Sequence, residues 1–471
     1  MKKSFLYIIV ANVFYMIIVA GTNFILPKYT SIETYAAVKE YTLYLTTYST
    51  VLTFGYIQGM YVRYGGKEIA KINSAELGEN IFSFFGFLLP IAIIISVFGI
   101  FTSNKILSVL GVGILSTNLQ TYYQTFYQAT GDFKSYGTAL NISRVAVLVV
   151  NLALIFVFKT DNELLYIGVL PFIGVATAIY LTFKLNKKTN ILKQLRFNVF
   201  EVKSNICGGF ILMLGDFVTR FFSSVDRWFV NALMNTFSFA LYSFAVSMEQ
   251  MVNTFMSPIT VSMYNYFCKK PSNSDIKRIK NVTLIYSFVI IAGAFPAKWI
   301  LENFITKYIE SSSVMFFLFA AQGVSAIIRG IYVNKYKADG EQKKYLQQMI
   351  FMLVLSILLN ILAYLIFKSV SAIAAATLIT NIVWLIWCEI KNPKIKCDFK
   401  VILAGIIMLF CYVICGYKFK AIFGCILYCC VGIITSVIFM KDTVSWLIYS
   451  FINIVKQKMV SGENEENKEN H

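Results

Sequence analysis

The chain has 471 residues, 58% of them hydrophobic, 16% aromatic and only 14% charged, with a mean hydropathy of +0.67. Soluble domains carry about a quarter charged residues, so this composition excludes an ordinary soluble globular protein. The single histidine, His471, ends a polar tail, which excludes imidazole base catalysis and His-ligated zinc; the net charge of +18 is assigned to basic membrane-flanking loops, not to nucleic acid.

Apolar runs of membrane-spanning length recur along the whole chain. They fall at 5–27, 34–58, 80–101, 106–128, 139–158, 164–183, 205–231, 236–258, 281–301, 314–334, 346–367, 370–390, 401–417 and 421–440. The predicted fold class is an all-α polytopic membrane protein with about fourteen transmembrane helices. Lys2-Lys3 ahead of the first run has the form of a secretory signal. The run is long and lacks a small-x-small cleavage site, so a retained first helix is expected. None of the nine cysteines forms a CxxC pair and most lie in apolar segments, where they read as small apolar residues.

Basic residues between the spans set the expected orientation. With the N-terminus inside, roughly 28 Lys and Arg fall on inside segments against 8 outside, which places both termini in the cytoplasm. The outside loops are all short. A membrane polysaccharide polymerase or glycosyltransferase would keep its chemistry in a large external loop, so an enzyme is disfavoured. Residues 442–459 form a short amphipathic stretch expected at the cytoplasmic interface, and 460–471 a polar tail expected to be disordered.

An internal repeat is visible. Gly131, Lys134, Tyr136 and Asn151 recur as Gly340, Lys343, Tyr345 and Asn360, all shifted by 209 positions. The expected organisation is a six-helix lobe over 1–185, a basic cytoplasmic linker over 186–204, a second six-helix lobe over 205–391 and an added pair over 400–440. Six helices separate equivalent positions, so the repeat is parallel, an architecture that favours transport between lobes.

Charged groups in mid-membrane cost at least about 2.5 kcal/mol and mark cavities or partners. In the seventh span Gly209, Asp216, Arg220, Ser223, Arg227 and Asn231 fall within roughly 60° of one another on a continuous helix. Asp216 and Arg220, at i and i+4, form either a self-neutralising pair or part of a cavity wall in which Arg220 takes a phosphate. Arg227, nearer the outer end, is placed to snorkel. Gln322, Ser325 and Arg329 make a second stripe, and Glu249, Gln250 and Asn253 a third. Gln120, Gln124 and Gln128 are flanked by Tyr122, Tyr123 and Tyr127, and Lys39 is followed by Tyr41, Tyr44 and Tyr48. For Lys39 and Arg144 an interfacial anchor is the plainer reading. Amides and tyrosines suit sugar hydroxyls and rings, and arginines suit phosphate.

The segments VDRWFVNALMNTFSFALYSFAVSM, QATGDFKSYGTALNISRVAVLVVNLAL and KADGEQKKYLQQMIFMLVLSILLNILAYL resemble the polysaccharide flippases of the MOP exporter superfamily, the O-antigen or capsule repeat-unit translocases. The resemblance runs through spans one to twelve. It implies a V-shaped two-lobed bundle working by alternating access, with no covalent chemistry and no cofactor. The implied cargo is an undecaprenyl-pyrophosphate-linked oligosaccharide crossing a bacterial cytoplasmic membrane. Membrane lipids and polysaccharide-assembly proteins are the implied partners. Arg220, Arg329 and Arg144 would represent the family's cationic cavity. Coupling to an H+ or Na+ gradient would fall to Asp216 and Glu249. Peptidoglycan-precursor flippases carry arginines on the first helix, and multidrug exporters an acidic residue there; this chain has neither. The alternative reading is a cation-coupled exporter of small amphiphilic solutes.

Overall fold

A computed structural model describes residues 18–19 and 21–449, without the side chains of Phe133, Leu140, 252–262, Asn265 and Gln342. Within those residues the chain is helical, with no strand. The helices are α1 (Ile32–Val51), α2 (Tyr56–Tyr64), α3 (Ser74–Phe101), α4 (Lys105–Ala129), α5 (Phe133–Phe156), α6 (Glu163–Thr189), α7 (Val199–Phe222), α8 (Val225–Leu233) and α9 (Thr236–Phe267). They continue as α10 (Asn273–Ile291), α11 (Ala294–Asn303), α12 (Ser311–Ile327), α13 (Asn334–Ala338), α14 (Gln342–Phe367), α15 (Val370–Lys391), α16 (Phe399–Lys418) and α17 (Ala421–Phe439).

Ten described stretches are long and apolar enough to cross a membrane, so the chain is a multi-pass membrane protein. They match ten of the fourteen predicted spans. Of the other four, the first lies largely outside the described residues and the eighth crosses the side chains left undescribed. The second and fourth form α1 and α4, helices of spanning length loaded with polar residues: Glu33, Lys39 and Glu40 in α1, and a run of Thr, Asn, Gln and Tyr in α4. The interfacial stretch is described only to 449, and is helical from 441; the tail lies outside the described residues.

The chain divides into two compact units, residues 1–244 and 245–471. In the first unit α1 is fixed at its start by caps. The Ser31 side chain accepts from the Thr34 N–H, while the Asp161 carboxylate accepts from the Ser31 N–H at 3.1 and 3.2 Å. After α1 the chain turns through Gly55 at φ +88 and enters α2 pressed against α7. A Cβ on Gly59 would stand 2.0 Å from the Asn205 carbonyl oxygen, and one on Gly209 would stand 2.0 Å from that of Gly55. Only glycine permits this approach.

A polar network closes the same contact. Arg63 Nε donates to Glu76 at 2.9 Å and its NH1 to Glu201 Oε2 at 2.6 Å. Asn80 Nδ2 donates to Glu201 at 3.0 Å, and Asn80 itself accepts from the hydroxyls of Tyr122 at 2.6 Å and Tyr56 at 2.8 Å. Loss of this shared acceptor strands two donors, so Glu201→Ala is expected to cost about 2 kcal/mol. A thermal midpoint equal to that of the wild type would contradict it.

The buried tyrosines of α4 belong to the core. Tyr122, Tyr123, Phe126 and Tyr127 pack with Tyr56, Tyr64 and Phe84, and the Tyr123 hydroxyl bonds Thr182 at 2.5 Å. Asp132 caps α5, accepting from the Ser135 N–H at 3.1 Å, and pairs with Lys188. Burial pushes its proton affinity up, but the Lys188 and Ser135 bonds outweigh that and hold the carboxyl below its usual range. A lowered folded value stabilises the protein above the unfolded value near ~3.9 and fades as pH falls through the folded one. The thermal advantage of wild type over Asp132→Asn is therefore expected to be constant above about pH 5 and to shrink in acid below that.

In the second unit Phe295, Phe316, Tyr412 and Tyr428 form an aromatic knot across α11, α12, α16 and α17, with centroids 5.1–5.8 Å apart. Gly416 leaves room for Phe316. Beside it the buried Lys298 Nζ donates to the carbonyls of Gly416 at 2.7 Å and Phe419 at 2.8 Å, capping the end of α16. The repeated positions have matching local structure. Gly131 and Gly340 adopt φ +73 and +75 ahead of long helices, and Asn151 and Asn360 are both buried with an unpartnered Oδ1.

Candidate functional site

The seventh predicted span is not one helix. α7 ends at Phe222, and the Ser223 and Ser224 hydroxyls turn back to the Arg220 carbonyl at 2.9 and 3.0 Å. A new helix, α8, then starts at Val225. The continuous polar stripe expected there is corrected accordingly: Arg227 and Asn231 do not share a helical face with Asp216 and Arg220. Asp216 accepts from Gln58 Nε2 at 3.0 Å, and among the described residues no ion pair joins it to Arg220. Arg220 is exposed on α7.

The break turns α8 toward α1. On α1, Glu40, Tyr44, Thr47 and Tyr48 recur at helical spacing on one face, with Lys39 beside them. Trp228 of α8 stacks on Tyr44 at 5.1 Å with 17° between the rings, and meets Tyr48 edge-on at 6.2 Å. Its indole N–H donates to Thr47 Oγ1 at 3.3 Å. Asn231 Nδ2 donates to the Tyr44 hydroxyl at 3.2 Å and to Glu40 at 3.4 Å, and Glu40 also accepts from Tyr44 at 2.9 Å. Ring faces, an amide and a carboxylate are thereby fixed on one wall.

Two cations stand in this wall. Lys39 Nζ donates to Asn23 Oδ1 at 3.4 Å and lies 5.2 Å over the Tyr35 ring. Arg227 is near enough for its charge to repel that of Lys39. Neither has a carboxylate within ion-pair distance among the described residues, and Arg227 Nε is buried without a hydrogen-bond partner. Next to them Asp226 accepts from the Tyr242 hydroxyl at 2.6 Å and from the Arg227 backbone N–H at 2.8 Å. Two unpaired cations beside stacked rings can hold an anion carrying a flat or sugar-like group.

The remaining predicted residues fall elsewhere. Gln124 Nε2 donates to the Ala139 carbonyl at 3.0 Å and so ties α4 to α5. Arg144 is exposed on α5. In the second unit the buried Glu249 accepts from Gln322 Nε2, joining two residues that the sequence placed on separate spans. Arg329 lies in a π-helical turn, Ile328–Val333, that follows α12. Asn253 lies among the undescribed side chains. Among the described residues no group of three or more His, Cys, Asp or Glu is placed to hold a metal ion.

No protein-family model and no curated protein matches the sequence. Solved structures do. A lipid II flippase in an inward closed conformation superposes at a TM-score of 0.62 and 15% identity, covering 94% of this chain and 100% of its own. An inward-facing multidrug-resistance MATE transporter of the MOP superfamily gives 0.59 at 12% identity, covering 81% of this chain and 95% of its own. The chain shares the fold of these two structures. Glu40, Trp228 and the Asp226–Tyr242 bond were missed as site elements. Asp226 and Tyr242 did stand in the segment that carried the family resemblance, which was the available signal.

Proposed function

We propose that this protein is a flippase that moves undecaprenyl-pyrophosphate-linked oligosaccharide repeat units across a bacterial cytoplasmic membrane for surface polysaccharide assembly. The reading is carried by one observation: Arg227, with its buried unpartnered Nε, stands beside Lys39 and a wall of stacked Tyr44 and Trp228. The guanidinium fork and the ammonium take the pyrophosphate, the ring faces take sugars, and Asn231 takes sugar hydroxyls. Hiding this headgroup from hydrocarbon is the barrier that a flippase lowers, and the polyprenyl tail stays in lipid. The likeness to a lipid flippase over 94% of the chain supports this, against 81% for the drug transporter.

Under this proposal both termini are cytoplasmic and the two sequence halves form the lobes of alternating access. Arg220, Arg329 and Arg144 serve as further phosphate contacts. Asp216 and Glu249 serve gradient coupling, and lipids and polysaccharide-assembly proteins are the partners. The test is extraction of lipid-linked oligosaccharides from cells with the gene deleted, with leaflet location read by periplasmic access. Intact repeat units accumulating on the cytoplasmic leaflet are expected. Normal amounts at the normal leaflet, with transport of lipid-free solutes into vesicles, would make the protein a solute exporter. A new covalent product formed by the purified protein would make it an assembly enzyme.

A further inference from the structure

Asp226 is a buried carboxylate, 6% exposed, that stands at the proposed loading site without being part of its cation or ring surfaces. Both of its hydrogen bonds are donations to it, from the Tyr242 hydroxyl and the Arg227 N–H, the arrangement that suits an ionised carboxylate. The charged and titratable groups that act on it are Arg227 of α8 itself and Tyr242 of α9. Glu40 is already committed to Tyr44 and Asn231. Asp226 is the negative charge adjacent in sequence to the Arg227 guanidinium.

We propose that Asp226 is the proton-carrying carboxylate of this site, taking up one proton when an anionic headgroup loads onto Arg227 and Lys39. The inference rests on the reading of those two cations given above. Arrival of a pyrophosphate reverses the local charge, and a buried carboxylate beside it is then repelled by a like charge in a poorly screened environment. Protonation removes that repulsion. The proton comes from the water through which the headgroup arrives and forms one O–H bond on Asp226, with the Tyr242 hydroxyl turning from donor to acceptor. It leaves when the anion leaves, so each headgroup crosses with its net charge reduced by one. Linkage makes the effect reciprocal: the protonated protein binds the anion more tightly by the same factor that binding favours the proton.

The test is calorimetric titration of the full-length protein in nanodiscs with inorganic pyrophosphate, in two buffers of different ionisation enthalpy, between pH 5.5 and 8. Wild type and Asp226→Asn are compared, so the proton balance of pyrophosphate itself cancels in the difference. Wild type is expected to take up as much as one proton more per bound pyrophosphate, and to lose about tenfold in affinity as pH rises, while Asp226→Asn stays at the tight limit. Equal proton counts in the two proteins would overturn the coupling and leave the anion site standing. Absence of pyrophosphate binding by wild type, or binding unaffected by Arg227→Ala, would overturn the anion site and the coupling with it. Tyr242→Phe is the second variant, informative even if Asp226→Asn does not fold. By removing the donor to the carboxylate it is expected to move the extra uptake to higher pH, and an unmoved profile would count against Asp226.

Discussion

Cells whose only copy of this protein carries Lys39→Ala and Arg227→Ala are expected to export surface polysaccharide at less than a tenth of the wild-type level, with the protein present in the membrane at normal abundance. The size follows from the contacts removed. A hydrogen bond to a charged group contributes about 1.5–3 kcal/mol, and each 1.4 kcal/mol is tenfold in an equilibrium. Arg227→Lys is expected to fall between, because an ammonium keeps the charge but not the two-pronged fork that meets a phosphate edge. Neither cation is tied up in an ion pair among the described residues, and the buried Asp226 keeps its hydrogen bonds from the Tyr242 hydroxyl and the backbone N–H of residue 227 in the double variant, so the protein is expected to accumulate. Quantifying surface polysaccharide against membrane-protein abundance checks it; full export by the double variant at equal abundance would remove these two residues from the site.

Gly59→Ala is expected to destabilise the protein by about 3 kcal/mol or to prevent its accumulation, which fluorescence-detected thermal unfolding of the purified protein would read. Helix propensity alone predicts the opposite sign, since alanine is favoured over glycine by about 1 kcal/mol inside a helix. Packing wins because the added Cβ would lie 2.0 Å from the Asn205 carbonyl oxygen and 2.8 Å from its Cα, and backbone cannot rotate aside as a side chain can. Gly208, one residue before the matching glycine of α7, has nothing within 4 Å of its Cβ position. Gly208→Ala is therefore the control, expected to be neutral or slightly stabilising. A similar midpoint for both variants would show that the α2–α7 contact is looser than drawn.

The spans were legible from sequence because a lipid-facing helix has to be apolar over its whole length, and composition reports that directly. The polar helices were legible as helices, but not the use of their side chains. Tyr122 and Tyr123 share a helix face pattern with a cavity lining, yet their hydroxyls end on Asn80 and Thr182, partners 42 and 59 residues away. Arg63 and Glu201 are 138 residues apart, and nothing local marks them as a pair. The seventh span misled for a different reason. Ser223-Ser224 is compatible with a continuous helix, and the decision to break it is made by back-bonding hydroxyls and by Trp228 finding Tyr44. That one break decides which cations meet, so Lys39 and Arg227 could be nominated separately but not joined. Glu249 and Gln322 were also nominated apart and are bonded in the structure.

The Lys298 cap has an evolutionary corollary. Its ammonium is satisfied by backbone carbonyls near the end of α16, so a chain ending before the last helix pair would keep a buried cation with those acceptors gone. Phe295 would likewise lose its ring contacts with Tyr412 and Tyr428, and Phe316 its contact with Tyr412. Lineages that lost α16 and α17 would have had to neutralise position 298 before or together with the deletion, whereas those that kept Lys298 are held to the longer form. α16 and α17 are thus hard to discard by gradual steps.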